Sequence, residues 1–132
     1  MIHKTEKITR VREEIPTETV IAMEKLRSAL RSFAVAREWQ HYHSPKNLVM
    51  ALSVEVAELT EIFQWLKEDN SQQVDEPTRT HIAEEIGDVM IYLTMFADKF
   101  NLDPLTCAKE KMAANAIKYP SLQEPRDPKV LP

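Results

Sequence analysis

Two stretches of similar design decide the fold: EVAELTEIFQW at residues 55–65 and EEIGDVMIYL at residues 84–93. In both stretches the apolar residues recur at spacings of three and four, which is the period of an amphipathic helix. The second stretch belongs to an apolar stripe that begins at Ile82 and continues to Phe100. The sequence therefore predicts two amphipathic helices around these stretches.

Each predicted helix carries a pair of acidic residues one turn apart. At about 100° per residue, Glu58 lies about 60° from Glu55 on the helical wheel. Asp88 has the same relation to Glu85 on the second helix. In both helices the first acid of the pair falls at the edge of the apolar stripe, so the two carboxylates project together beside the buried face.

Carboxylates at the margin of an apolar face are costly to bury unless they are paired or bound to a metal. Two such pairs on adjacent helices would place four carboxylates in one cavity, where their repulsion requires a cation. All-oxygen ligation selects Mg²⁺, with Mn²⁺ as the alternative. Other interpretations stay open: the acids are solvated or form salt bridges with Lys46 or Lys99, or His81 contributes to a zinc or iron site.

Prolines and capping residues divide the chain around these helices. Ser44-Pro45 and Asp103-Pro104 each combine a capping side chain with proline at the first helical position. The expected helices span residues 17–39, 45–67, 77–100 and 104–118. Three segments follow from this division: an N-terminal arm at 1–16, a helical domain at 17–119 and a proline-rich tail at 120–132.

Composition supports an all-α fold and excludes several classes of function. The 132 residues include one glycine and eight prolines, which favours long helices over a β-rich fold. A net charge of -4 without a long basic run argues against binding to a nucleic acid polymer. No apolar run approaches the length of about 18 residues that a membrane span needs. One cysteine and no apolar leader predict a cytoplasmic protein.

Longer motifs resemble a known family. FAVAREWQHYHSPKNL at 33–48 and KMAANAIKYP at 111–120 join the two acidic stretches in this resemblance. Together they are similar to the all-alpha MazG-like nucleotide pyrophosphohydrolases, in particular to their dCTP pyrophosphatase branch. The resemblance covers about residues 20–120, and it implies a four-helix MazG-like bundle that is completed by dimerisation.

The resemblance also implies an activity and a set of site residues. The family cleaves nucleoside triphosphates between the α and β phosphates, and dCTP or a related pyrimidine dNTP is the expected substrate. Glu55, Glu58, Glu85 and Asp88 would bind Mg²⁺ and form the catalytic centre. The residues expected to bind substrate are Trp39, His43, Asn47, Trp65, Tyr92, Lys111, Asn115 and Lys118. A partner chain would complete the cavity in a homodimer or homotetramer.

Alternatives remain at this point. Without the resemblance, Trp39, Trp65 and Tyr92 are core residues and the lysines form a solvated helix face. The chain would then be a non-catalytic helical module that binds a nucleotide or a protein. A carboxylate-bridged di-iron bundle would need Glu-x-x-His motifs, which neither acidic pair contains. The general base, the preferred nucleobase, the number of metal ions and the oligomer size stay open.

Overall fold

The computed structural model describes residues 16–122, and these residues form helices without any β-strand. The four α-helices are α1 (Thr17–Ala36), α2 (Pro45–Phe63), α3 (Glu76–Asp98) and α4 (Pro104–Lys118), and single 3-10 turns occupy Trp39–His41 and Glu68–Asn70. The predicted all-α fold is confirmed. Residues 1–15 of the predicted N-terminal arm and residues 123–132 of the predicted tail lie outside the described residues.

The chain divides into two compact units. One unit is Arg27–Asn101, which contains the second part of α1 together with α2 and α3. The described residues of the other unit are 16–26 and 102–122, which contain the start of α1 and all of α4. Both predicted acidic pairs therefore belong to the Arg27–Asn101 unit. Among residues 16–122, no helix is long and apolar enough to cross a membrane.

Side-chain caps fix three of the helix starts. Ser44 Oγ accepts a hydrogen bond from the Asn47 backbone N–H at 3.1 Å, at the start of α2. Asp75 Oδ1 accepts from the Thr78 N–H at 3.0 Å, so α3 begins at Glu76, one residue before the predicted Pro77. Asp103 caps α4 in the same way and confirms its predicted start. Each cap satisfies backbone N–H groups that the helix itself leaves unpaired.

Three predicted helix ends were wrong. α1 ends at Ala36 instead of residue 39, because the Glu38 N–H donates three residues back to Val35 O at 3.0 Å and Glu38 adopts a left-handed φ of 55°. α3 ends at Asp98 instead of residue 100, and Asn101 closes it with a φ of 53°. Left-handed residues stop a helix because the following N–H groups bond back to its last carbonyls.

The third wrong end belongs to α2, which stops at Phe63 rather than at the predicted residue 67. The Leu66 N–H donates to Phe63 O at 3.0 Å, so the chain tightens into a turn immediately after the helix. This turn moves Trp65 off the helical face on which it was predicted, and 88% of its surface is exposed. A core role for Trp65 within the described chain is therefore excluded.

The α2 and α3 helices pack against each other and run antiparallel. Glu55, near the middle of α2, lies beside Glu85, whereas Ile62, near the end of α2, shares a hollow with Thr78 in the first turn of α3. Later residues of α2 thus lie beside earlier residues of α3, as they do in an antiparallel pair. Leu48 is the one large apolar side chain of the described residues that is almost completely buried, at 1% exposed.

Much of the predicted apolar stripe remains open in the described chain. Val56 and Leu66 on the α2 side, and Ile86 and Leu93 on α3, all keep more than a third of their surface exposed. All four belong to the apolar stripes that the sequence shows on these helices. Two packed helices bury only the strip along their contact line, so the outer parts of a wide stripe need a further covering surface.

Candidate functional site

Three of the four predicted acids come together where α2 and α3 cross. Glu55 and Glu58 lie one turn apart on α2, and Glu85 faces them from α3. One carboxylate oxygen from each residue lies within 4.8 Å of the other two. Oxygens this close fit around a single cation, which is the arrangement that the matched helical phases predicted.

Burial makes this cluster electrostatically unsatisfied. Glu85 is only 6% exposed, Glu55 is half-buried and Glu58 is open to solvent. The Oε2 atoms of Glu55 and Glu85 are both buried and neither has a hydrogen-bond partner. A buried carboxylate oxygen without a donor is destabilising, because it has lost its water and gained nothing in exchange.

The electrostatic consequence is clearest at Glu55. The pKa of Glu55 is raised from its ordinary value of 4.5 to about 7, mainly by burial and then by a hydrogen bond to Glu58 and the charge of Glu58. A hydrogen bond to Glu85 and the charge of Asp88 add smaller increases. Near neutral pH the cluster therefore holds a proton, which a divalent cation would displace on binding.

The fourth predicted acid, Asp88, and the two candidate counter-ions, Lys46 and Lys99, relate to the cluster in different ways. Asp88 is half-buried and acts on Glu55 through its charge, but it lies outside the set of three oxygens within 4.8 Å. Within residues 16–122, neither Lys46 nor Lys99 forms an ion pair with any of the four acids. The salt bridges considered for these two lysines are therefore not formed in the described part of the chain.

The donor set fits a hard divalent cation. The three converging groups are carboxylates, and two of them offer a buried oxygen that nothing else in the described chain uses. Oxygen ligands of this kind are preferred by Mg²⁺ and Mn²⁺ over softer metals. A cation would also relieve the repulsion that raises the pKa of Glu55.

Trp39 belongs to a small exposed aromatic group that follows α1. Its ring meets Phe33 edge-on, with centroids 5.6 Å apart, and meets His43 at 6.0 Å. The Arg37 guanidinium lies 3.4 Å above the Phe33 ring. Trp39 keeps 43% of its surface exposed, so it offers a stacking face and is not a core residue of the described chain.

His43 lines a hollow of about 250 Å³, whose other walls include Leu30, Ala34, Thr94 and Met95. Burial lowers the pKa of His43, and the positive charge of Lys99 lowers it further. Asn47, by contrast, is occupied locally, because its side-chain Nδ2 donates to Tyr42 O at 2.9 Å. The structure thus gives Asn47 a role in holding the loop before α2.

The remaining predicted substrate residues are more scattered. Tyr92 is half-buried on α3, one turn beyond Asp88. Lys111, Asn115 and Lys118 lie on α4, in the other unit, and all three are exposed. Their predicted roles toward the nucleotide remain predictions.

Arg31 forms an ion pair with Asp98 that the sequence did not predict. Arg31 Nε donates to Asp98 Oδ2 at 2.6 Å, and Arg31 Nη2 also bonds to this carboxylate, so α1 is joined to the end of α3. The Arg31 hydrogen bond holds the pKa of Asp98 below its ordinary value. The two residues are 67 positions apart, and no local pattern signals such a pairing.

Comparison with known proteins identifies the family. Residues 50–126, which are more than half of the chain, match the MazG-like family. The chain belongs to this family. The matched MazG-like segment contains both acidic pairs and also Trp65, Tyr92 and Asn115. Trp39, His43 and Asn47 precede it.

Similar curated proteins are the dCTP pyrophosphatase 1 of Rattus norvegicus and that of Homo sapiens. This MazG-like chain is 37% identical to the rat protein over 100 residues, and to the human protein over 101 residues. The alignments cover 74% and 75% of the chain but 59% of each relative. The chain therefore spans about three-fifths of the length of the curated relatives it matches.

A solved structure supports the same fold. The crystal structure of a pyrophosphatase from Archaeoglobus fulgidus DSM 4304 superposes with a TM-score of 0.70 at 44% sequence identity. The match covers 76% of this MazG-like chain and 94% of that protein. At this identity the likeness extends to sequence as well as to helix arrangement.

Proposed function

We propose that this chain is a Mg²⁺-dependent nucleoside triphosphate pyrophosphohydrolase, with Glu55, Glu58, Glu85 and Asp88 as its metal-binding and catalytic acids. One observation carries the proposal: in a MazG-like chain, Glu55 and Glu85 belong to one carboxylate cluster, and each has a buried oxygen without a hydrogen-bond partner. Such a cluster destabilises a fold unless it binds a cation.

The acids perform distinct tasks in this proposal. Glu85 is the most buried, so its carboxylate is held in place by its surroundings and serves as a fixed ligand. Glu55, whose pKa is raised to about 7, accepts and releases a proton near neutral pH, and Glu58 beside it is exposed to solvent. Bound Mg²⁺ supplies neutralisation of phosphate charge and an activated water.

The proposed substrate is dCTP or a related pyrimidine dNTP, and the proposed products are the monophosphate and pyrophosphate. The names of the rat and human relatives support this substrate class. Trp39, Trp65 and Tyr92 would stack on the base and sugar, since aromatic rings accept any base face. Lys111 and Asn115, one turn apart on α4, would contact the nucleotide, with His43, Asn47 and Lys118 in supporting positions.

We also propose a homodimer or homotetramer. Trp65 is 88% exposed, and Ile86, in the middle of α3, is 54% exposed. Apolar side chains this open, on α3 and in the turn after α2, favour a protein surface as their cover. Light scattering at several concentrations tests this, and a strictly monomeric, active chain would contradict it.

The decisive experiment is pyrophosphate release from the common dNTPs and NTPs, with Mg²⁺ and again with EDTA. Chromatography of the products distinguishes dCMP plus pyrophosphate from dCDP plus phosphate. Glu85→Gln and Asp88→Asn should abolish turnover, whereas Glu84→Gln, which removes the same charge at an exposed neighbouring position, should retain it. Nucleotide binding without hydrolysis would instead favour the non-catalytic module.

A further inference from the structure

His81 contacts the acidic cluster, yet the proposed function assigns it no task. It lies one turn before Glu85 on α3, and its Nε2 is 3.1 Å from Glu85 Oε1. The His81 side chain is 53% exposed, whereas that of Glu85 is 8% exposed. The imidazole therefore sits at the solvent edge of the cluster and reaches inward to its most buried carboxylate.

We propose that His81 is a positioning residue that holds the Glu85 carboxylate in the orientation required for metal binding. In the tautomer that carries hydrogen on Nε2, His81 donates to Glu85 Oε1, and the other oxygen of the same group, Oε2, is left buried without a partner. This inference rests on the proposed metal-dependent function.

The physical need for such a residue follows from the freedom of a carboxylate. The last torsion of a glutamate side chain is broad and roughly two-fold, so an unrestrained carboxylate samples many orientations. A donor that fixes one oxygen also fixes the other, and the cation then meets an ordered ligand. Hydrogen bonds to ligating groups typically change metal affinity by about 10–100-fold.

The geometry favours this role over direct ligation by the imidazole. The oxygens that lie within 4.8 Å of one another come from Glu55, Glu58 and Glu85, and the His81 nitrogens are not part of that set. His81 instead lines an outer hollow together with Glu58, Glu61, Ile62 and Thr78. It approaches Glu85 from this outer side, so it acts through Glu85.

The helix supplies this contact with little dependence on the rest of the fold. Residues four apart on a helix share a face, so His81 reaches Glu85 through local geometry. His81 is the half-exposed partner of this contact, so its loss should leave the chain folded while it removes the donor to Glu85 Oε1.

The test measures Mn²⁺ affinity from the electron paramagnetic resonance signal of the free ion, in wild type and in three variants at one pH of about 8. His81→Ala should weaken Mn²⁺ binding about 10–100-fold. His81→Gln should restore most of the affinity, because its amide nitrogen can donate from nearly the position of Nε2. His41→Ala, which removes an exposed imidazole from the Trp39–His41 turn, should bind as wild type does.

The outcomes separate this inference from the function on which it rests. Equal Mn²⁺ affinity in wild type and His81→Ala would overturn the positioning role alone. So would a nitrogen coupling on bound Mn²⁺ that disappears in His81→Ala, because it would show that the imidazole is a direct ligand. Failure of the wild-type chain to bind Mn²⁺ would overturn the proposed function and the inference together.

Discussion

Replacing Glu55 by glutamine should stabilise the metal-free protein while removing its metal binding. Glutamine has nearly the same shape as glutamate, but it lacks the negative charge that the neighbouring carboxylates repel. Burial and the hydrogen bond and charge of Glu58 together raise the pKa of Glu55 from 4.5 to about 7. An acid with a raised pKa favours the folded state below pH 4.5, and this contribution is lost as the pH rises through 7.

The size of the effect follows from that difference in pKa. One pKa unit corresponds to about 1.36 kcal/mol, so the pKa shift of Glu55 limits the gain in unfolding free energy to about 3 kcal/mol. Solvent reaches the cluster through exposed Glu58 and screens the interaction, which leaves about 1–2 kcal/mol. For a domain of this size, that stabilisation raises Tm by about 3–8 °C.

The assay is thermal unfolding of wild type and Glu55→Gln in EDTA at two pH values. At about pH 8 Glu55 is ionised in both the folded and the unfolded chain, and the variant should melt higher. At about pH 5.5 folded Glu55 is protonated but the unfolded residue is still ionised, so the difference in Tm should shrink to less than half, and it should vanish only below pH 4.5. Glu61→Gln removes the same charge from an exposed position of α2 and is the control. The reasoning would be refuted if the Tm of Glu55→Gln at the higher pH did not exceed that of wild type. It would also be refuted if the variant exceeded wild type by the same amount at both pH values.

Three further predictions test other parts of the molecule. Leu48→Ala should lower the free energy of unfolding by about 2–5 kcal/mol, because Leu48 is fully buried; an equal loss in exposed Val49→Ala by urea unfolding would contradict this. Asp98→Asn should destabilise by about 1–2 kcal/mol at neutral pH. This deficit should shrink as the pH falls below 3.8, since the Arg31 hydrogen bond holds the pKa of Asp98 below that value, and a deficit that persists in acid would refute the pairing. Asn115→Ala should lower kcat/KM for dCTP about 10-fold more than for dATP; an unchanged preference would mean that another residue reads the base.

The parts of the site that could be predicted from the sequence are those fixed by helical geometry. Glu55 and Glu58 are one turn apart wherever α2 lies, and the apolar stripe fixes which side of the helix faces α3. Packing two such stripes against each other then brings Glu85 to the same place. The cluster follows from periodicity, without knowledge of any long-range contact.

The helix ends and the long-range pairs carry no comparable signal. Glu38 adopts a left-handed φ although it is not glycine, so the sequence does not mark it as a stop. The Arg31–Asp98 pair depends on how α1 lies against α3, which local spacing does not determine. The exposed stripe residues show the same limit, since a hydrophobic period predicts burial but not which surface supplies it.

Within α3, Asp98 and Glu85 differ in how the fold satisfies their carboxylates. Asp98 is bonded by Arg31 through both oxygens, and its pKa lies below the ordinary value, so its charge supports the fold. Glu85 is more buried, yet Oε2 has no partner and the nearest acids repel it. A carboxylate that the fold buries with one oxygen unpaired is a candidate for binding a ligand. The pKa of Asp98 is lowered and that of Glu55 is raised, so acid should weaken the Asp98 contact but relieve the repulsion around Glu55. At neutral pH, a bound cation would relieve the same repulsion.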